Sequence, residues 1–254
     1  MIVVVLALVV GIDPVQILEG TDLSSVAPAQ QSQLTQGKQD MLAENAMLVL
    51  GDTEKTWAVI FEDQLGRTYS RPKLVLFTGS VDSACGYASA AIGPFSCLGD
   101  EKVYLDLDFF HELERNYGSF GDFAQAYVIT HEIGHHVQNQ LGTTRYVDRK
   151  SRQVSETEAN RLSVALELQA DCYAGVWANR AQYQDLVLEK GELEEVLNAA
   201  NAIGDDTLQK EAQGCVVPDS FTHGTSTERV QWFRKGMDSG TVPACENALL
   251  PAVT

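Results

Sequence analysis

The sequence is poor in basic residues, and several common functional motifs are absent from it. Its 254 residues include 18 Lys and Arg against 35 Asp and Glu, which gives a formal net charge of −17. A surface of that charge repels phosphate backbones, so we do not expect nucleic acid as a partner. The Walker A, GxGxxG and GxSxG patterns are also missing. The sequence therefore gives no support to P-loop, dinucleotide-binding or nucleophilic-serine chemistry.

The sequence also lacks a hydrophobic run of the roughly 20 residues that a membrane-spanning helix needs. An apolar run over residues 1–12 has neither the basic flank nor the cleavage site of a signal peptide, and a polar stretch typical of a linker follows over 13–39. We interpret residues 1–12 as the remnant of a membrane anchor, with a buried strand as the alternative. The expected location is the cell membrane, with a single amino-terminal anchor and an extracytoplasmic domain over residues 40–254.

Cysteine is scarce, and no CxxC pair is present. The five cysteines lie at positions 85, 97, 172, 215 and 245, so at most two disulfides can form. Cys85 and Cys97 bracket a short, turn-rich loop, which favours a disulfide between them and an oxidising compartment. Five reduced cysteines that serve only in packing are the alternative.

The apolar spacing predicts an α+β fold that is mainly helical, with a small antiparallel sheet. Helices are expected over residues 39–50, 53–63, 122–141, 155–181, 192–202, 207–213 and 228–236, and strands over 73–77 and 103–107. The first two helices are separated by Gly51-Asp52. Capping boxes at Ser155-x-x-Glu158 and Thr225-x-x-Glu228 mark the starts of two later helices.

The helix predicted over residues 122–141 contains the pattern His131-Glu132-x-x-His135. At 3.6 residues per turn, the two histidines lie one turn apart on the same face, so both imidazoles can bind a single Zn²⁺. Glu132 is rotated from them by about 100°, which keeps its carboxylate out of the coordination sphere but close enough to take a proton from water on the metal. The pattern predicts a catalytic zinc centre, and a pair of surface histidines is the alternative.

A catalytic zinc needs a third protein ligand, and the sequence narrows the choice. The metzincin extension fails because Gln138 and Leu141 stand where a glycine and a histidine are required. Glu167 and Asp171 are four residues apart in a largely apolar helix, so they share one face. We assign Glu167 as the third ligand and Asp171 as the acceptor for the second ring N–H of a ligand histidine. An ordinary acidic helix face is the alternative.

Segments 130–138, 161–177 and 217–226 contain the HExxH motif, the Glu-x-x-x-Asp pair and a Thr-His-Gly sequence. Together they resemble the bacterial putative neutral zinc metallopeptidase family, over about residues 53–246. The resemblance implies a zincin-like fold whose metal helices are similar to those of gluzincins, with an amino-terminal membrane helix. It agrees with the assignment of Glu167 as a ligand.

The resemblance also implies roles for residues outside the two metal helices. It places His223, with Arg229 on the following helix, near the metal, where His223 is suited to donate to the oxyanion of the reaction. A loop histidine that caps the next helix is the alternative. The resemblance further implies a disulfide between Cys172 and Cys245, which leaves Cys215 as a free thiol. A bridge between Cys215 and Cys245 competes with that pairing.

These observations predict a zinc-dependent endopeptidase that acts on peptide or protein substrates. The substrate backbone is expected to pair with an edge strand, and we assign that strand to residues 103–107. The alternative function is an envelope scaffold or partner-binding domain with a structural metal and no peptidase activity. Glu132 discriminates between the two, because a structural zinc has four protein ligands and no use for a general base.

Overall fold

The computed structural model of the protein describes residues 34–89, 93–117, 122–181, 190–246 and 248. The strands are β1 (Lys73–Phe77), β2 (Ser80–Ser83), β3 (Gly86–Ser89), β4 (Phe95–Cys97) and β5 (Lys102–Asp106). The helices are α1 (Gln36–Leu65), α2 (Leu107–Tyr117), α3 (Asp122–Leu141), α4 (Thr143–Ser151), α5 (Glu156–Ala181), α6 (Lys190–Ala202), α7 (Asp205–Gln213), α8 (Ser226–Ser239) and α9 (Pro243–Glu246). A 3-10 turn covers Pro218–Ser220. The predicted α+β, mainly helical class is confirmed.

Helix α1 is continuous over 30 residues, where the sequence predicts two helices. Gly51 lies inside it and costs about 1 kcal/mol relative to alanine, but tertiary contacts outweigh that cost. The indole of Trp177 donates to the carboxylate of Asp52 at 2.6 Å, and Trp57 in the next turn is fully buried. The helix also begins at Gln36, so residues 36–39 of the predicted linker are helical.

The three-stranded sheet is mixed, with the strand order β1-β5-β4. Strand β1 runs parallel to β5, and β4 runs antiparallel to β5, whereas β2 and β3 form a separate antiparallel hairpin. Strand β5 is therefore the central strand, and Leu107 already belongs to α2. This order corrects the assignment of residues 103–107 as an edge strand for the substrate. Both sides of β5 are occupied by neighbouring strands.

Helices α3 and α5 cross closely at Gly134. A Cβ atom at this position would lie 2.8 Å from the backbone oxygen of Ala170, which is shorter than side-chain carbons tolerate. Glycine is therefore required for the two backbones to approach each other here. Because Gly134 precedes His135 and Ala170 precedes Asp171, the crossing sets the histidines of α3 against the acids of α5.

Helices α5 and α8 also pack backbone to backbone. A Cβ atom at Gly175 would overlap the carbonyl of Phe233, and one at Gly236 would overlap the carbonyl of Cys172. The two glycines thus lie on opposite sides of one crossing and remove the side chains that would separate the helices. This contact brings α8 within side-chain reach of the acidic face of α5.

Both predicted capping boxes are present, and both predicted disulfides are confirmed. The Ser155 hydroxyl accepts the backbone N–H of Glu158 before α5, and Thr225 and Glu228 cap each other before α8. Disulfides join Cys85 to Cys97 and Cys172 to Cys245, while Cys215 is free and exposed. The second disulfide attaches α9 to α5.

The structure does not support the predicted place of the protein in the cell membrane. Among the residues described here, no helix combines the length and the apolar character that crossing a bilayer requires. This finding contradicts the expectation of a single membrane anchor. The apolar segment 1–12 on which that expectation depended lies outside the described residues, as does most of the predicted linker.

Candidate metal centre

Two histidines of α3 and one glutamate of α5 converge on a single point. The Nε2 atom of His131 lies 3.1 Å from one carboxylate oxygen of Glu167, and the Nε2 atom of His135 lies 3.4 Å from the other. Atoms held about 2.1 Å from zinc at tetrahedral angles are about 3.4 Å apart. The two separations are close to that value although they end on different carboxylate oxygens, and one ligand atom from each of the three residues lies within 4.8 Å of the other two.

The ring of His131 contacts Asp171, the residue that the sequence analysis assigns to orient a ligand histidine. Its Nδ1 lies 2.8 Å from Oδ1 of Asp171, which also accepts the hydroxyl of Tyr127 at 2.6 Å. A hydrogen on Nδ1 leaves Nε2 with its lone pair toward Glu167. Burial lowers the pKa of His131, but the Asp171 carboxylate outweighs burial and raises that pKa to about 10.

Arg229 on α8 binds the same aspartate, Asp171. Its Nε donates to Oδ2 of Asp171 at 2.9 Å, and its Nη2 donates to Oδ1 at 3.1 Å. Burial raises the pKa of Asp171, but the charges of Arg229 and His131 outweigh it and lower the pKa to about 2. Arg229 is thus near the centre, with its guanidinium directed to Asp171.

Several ionisable groups are buried together around the centre. Glu132, Glu167 and Asp171 are at most 3% exposed, and Arg229 is 2% exposed. Three carboxylates therefore face one guanidinium, and although burial opposes the rise, these carboxylates raise the pKa values of both histidines. A divalent cation bound in place of the two imidazole protons would supply the same positive charge.

Glu132 lies beside the centre and is buried, as is His131. Burial raises the pKa of its carboxyl group, while the neighbouring imidazoles of His135 and His131 oppose the rise. A raised pKa suits a carboxylate that accepts a proton near neutral pH. Glu132 also lines a small cavity together with Pro94, Phe109, Tyr127, Val128, His131, Ile203 and Arg229.

His223 is held by an aspartate that the sequence analysis did not identify. Its Nδ1 lies 3.1 Å from Oδ1 of Asp205, and Oδ2 of Asp205 accepts the backbone N–H groups of Thr222, His223 and Gly224 at 2.8, 2.7 and 3.0 Å. The group of potential metal ligands contains His131, His135 and Glu167 without His223. The oxyanion role of His223 stays a prediction.

Comparison with known proteins agrees with the geometry of this centre. Residues 1–248 match the sequence profile of the family described as putative neutral zinc metallopeptidase. The chain belongs to this family. The match confirms the resemblance found in the motifs and extends it beyond the roughly 200 residues that carry them. The family description also agrees with zinc as the metal.

Two relatives illustrate how far the family similarity extends. The chain is 47% identical over 248 residues to the uncharacterized protein YpfJ of Escherichia coli strain K12, which covers 96% of this chain and 85% of that protein. It is 40% identical over 189 residues to the uncharacterized protein Rv2575 of Mycobacterium tuberculosis strain H37Rv, which covers 70% of this chain and 62% of that protein. No solved structure is significantly similar to the chain.

The donor set fits the zinc that the family description implies. Two imidazole nitrogens and one carboxylate are a common ligand set for catalytic zinc, and a fourth position remains for water or substrate. Of the five cysteines, four are paired in disulfides and Cys215 is exposed on a different segment. Within the described residues, the atoms available to a metal at this centre are therefore nitrogen and oxygen.

Replacing a residue that hydrogen-bonds to a metal ligand typically lowers metal affinity by roughly 10- to 100-fold. Replacing Glu167 by alanine should lower the affinity for zinc by more than this. The change removes one of three donors and leaves two imidazoles that hold zinc poorly by themselves. Zinc content after dialysis against a weak chelator measures the effect. Unchanged zinc stoichiometry in this variant would place the third ligand elsewhere.

Proposed function

We propose that the protein is a zinc-dependent endopeptidase. One observation carries this proposal: the cluster of His131, His135 and Glu167 lies next to Glu132, which lines a cavity with His131. A structural zinc site is closed by four protein ligands, whereas this group supplies three and a carboxylate suited to proton transfer. The arrangement favours hydrolysis over the alternative of a scaffold with a structural metal.

The chain's own residues supply most of the chemistry in this proposal. When bound, zinc polarises the scissile carbonyl and lowers the pKa of its water to about 7. Glu132 accepts the proton of the attacking water and delivers it to the nitrogen of the leaving amine. Asp171, held by Arg229 and Tyr127, keeps His131 in the tautomer that presents Nε2 to the metal.

His223 is assigned to the substrate carbonyl oxygen in the same proposal. Asp205 fixes its ring through Nδ1, so the ring can act on a substrate only through Nε2. The three backbone N–H groups that donate to the Asp205 carboxylate hold the loop before α8 in one conformation. Such a pre-oriented donor is typical of groups that stabilise an oxyanion.

An extended peptide is the substrate that the sheet favours. Among the described residues, β4 has a strand neighbour on one side only, which is β5. Pro94, directly before β4, lines the cavity that contains His131 and Glu132. A peptide added beside β4 would form main-chain hydrogen bonds and pass close to the metal ligands. Strand β4 thus replaces residues 103–107 as the proposed docking strand.

Incubation of the purified protein with an unbiased peptide library tests the proposed activity. We expect cleavage at internal peptide bonds, detected by mass spectrometry of the products. A zinc chelator should stop the cleavage, and added zinc should restore it, because the metal supplies the activated water. A fully zinc-loaded protein that cleaves no peptide would contradict the endopeptidase and favour the scaffold.

A further inference from the structure

The second ligand histidine, His135, is connected to a chain of buried amides. We infer that Gln138 and Gln169 are positioning residues that fix the tautomer of His135 and thereby tighten zinc binding. The inference rests on the proposed zinc centre and deepens it. Neither glutamine belongs to the HExxH motif or to the Glu-x-x-x-Asp pair. Both are almost completely buried, at 0% and 2% exposure.

The hydrogen bonds run without interruption from the histidine to α9. The Nδ1 atom of His135 lies 2.8 Å from Oε1 of Gln138. The Nε2 atom of Gln138 donates to the backbone oxygen of Leu166 at 2.7 Å and to Oε1 of Gln169 at 3.1 Å. The Nε2 atom of Gln169 in turn donates to the backbone oxygen of Cys245 at 3.3 Å.

The two backbone carbonyls determine the direction of every bond in the chain. A carbonyl oxygen only accepts, so the amide nitrogens of Gln138 and Gln169 must face Leu166 and Cys245. The amide oxygen of Gln138 must then face His135, and Nδ1 of His135 must carry the hydrogen. The lone pair therefore lies on Nε2, which is the atom 3.4 Å from the Glu167 carboxylate.

The two ligand histidines are consequently supported in different ways. His131 donates to a carboxylate, whereas His135 donates to a neutral amide. A glutamate cannot substitute for Gln138, because its carboxylate would face the oxygens of Leu166 and Gln169 without a hydrogen to donate. The site thus requires a group that accepts on one side and donates twice on the other, which only a primary amide provides here.

The far end of the chain is fixed by the Cys172–Cys245 disulfide. This bond attaches α9 to α5, the helix that also carries Gln169 and Glu167. The acceptor on Cys245 is thereby held at a constant position relative to the metal ligands. Loss of the disulfide should weaken the last hydrogen bond and, through it, the orientation of Gln138.

Zinc affinity of the full chain, measured by competition with a fluorescent chelator, tests the inference. Gln138→Leu and Gln138→Glu should each weaken zinc binding by about 10- to 100-fold. Gln140→Leu is the matched control, since Gln140 lies on the same helix but is bonded to Ser70 at the surface. Its zinc affinity should equal that of the wild type. Thermal unfolding of the zinc-free proteins confirms that each variant is folded.

Nitrogen-15 NMR of the zinc-loaded protein gives a second readout. His135 should carry a slowly exchanging hydrogen on Nδ1 and bind the metal through Nε2. The Cys172→Ala/Cys245→Ala double variant should exchange this hydrogen faster, whereas Cys85→Ala/Cys97→Ala should not.

Zinc affinity of Gln138→Leu within about twofold of the wild type, or zinc on Nδ1 of His135, would overturn the inference. A wild type that binds zinc as expected but cleaves no peptide would overturn only the proposed peptidase.

Discussion

Replacing Glu132 by glutamine is expected to reduce peptide hydrolysis by about 10²- to 10⁴-fold while zinc stays bound. The amide has nearly the same shape but cannot accept the proton of the attacking water. The metal is held by His131, His135 and Glu167, so its affinity should change little. The rate of peptide cleavage and the zinc content are measured on the same preparation.

Glu156→Gln is the matched control for this substitution, because Glu156 is exposed in the first turn of α5. It makes the same chemical change far from the proposed proton transfer and should leave the rate unchanged. Peptide cleavage by Glu132→Gln at the wild-type rate would contradict the assignment of Glu132 as the general base. Loss of zinc in that variant would instead make Glu132 a part of the coordination sphere.

Replacing Arg229 by methionine is expected to lower the free energy of unfolding by about 3–5 kcal/mol. The substitution leaves the Asp171 carboxylate, which is 0% exposed, without its guanidinium partner. Urea denaturation of the zinc-free protein measures the loss without a contribution from the metal. Arg234→Met is the control on the same helix, since Arg234 is exposed, and it should change stability by less than about 0.5 kcal/mol.

The Arg229→Met/Asp171→Asn double variant should recover part of that loss, because residue 171 then carries no charge that needs the guanidinium.

The pair also predicts how stability depends on pH. The pKa of Asp171 is about 2 in the folded protein, below the value of about 3.9 in an unfolded chain. Its stabilising contribution is present above about pH 4 and is lost as the pH falls toward 2. An Arg229→Met variant as stable as Arg234→Met would contradict the buried pair.

The core of the centre is predictable from sequence because its geometry is local. His131 and His135 share a face by helical periodicity, and so do Glu167 and Asp171, whatever the rest of the chain does. The two pairs can then be assigned to one site, because two imidazoles and a carboxylate are a common ligand set for zinc. Tyr127 lies one turn before His131, so helical periodicity places it on the same face. A tyrosine on an apolar helix face is usually part of the core, so the sequence does not identify it as a site residue.

The partners of His223 and Asp171 depend on contacts that local patterns do not encode. Asp205 is 18 residues from His223, and in the sequence it resembles an ordinary acidic residue in the first turn of a helix. Arg229 is 58 residues from Asp171 and reaches it only because α5 and α8 cross at two glycines. The strand order has the same origin, since periodicity identifies a strand but not its neighbours.

X-ray absorption spectroscopy at the zinc edge tests the central claim most directly. The protein is produced in zinc-containing medium, and the spectrum is recorded together with the zinc stoichiometry. We predict one zinc per chain, surrounded only by nitrogen and oxygen donors at about 2.0–2.2 Å, two of them imidazoles. Sulfur among the donors, or a protein without bound zinc, would contradict a catalytic centre built on His131, His135 and Glu167.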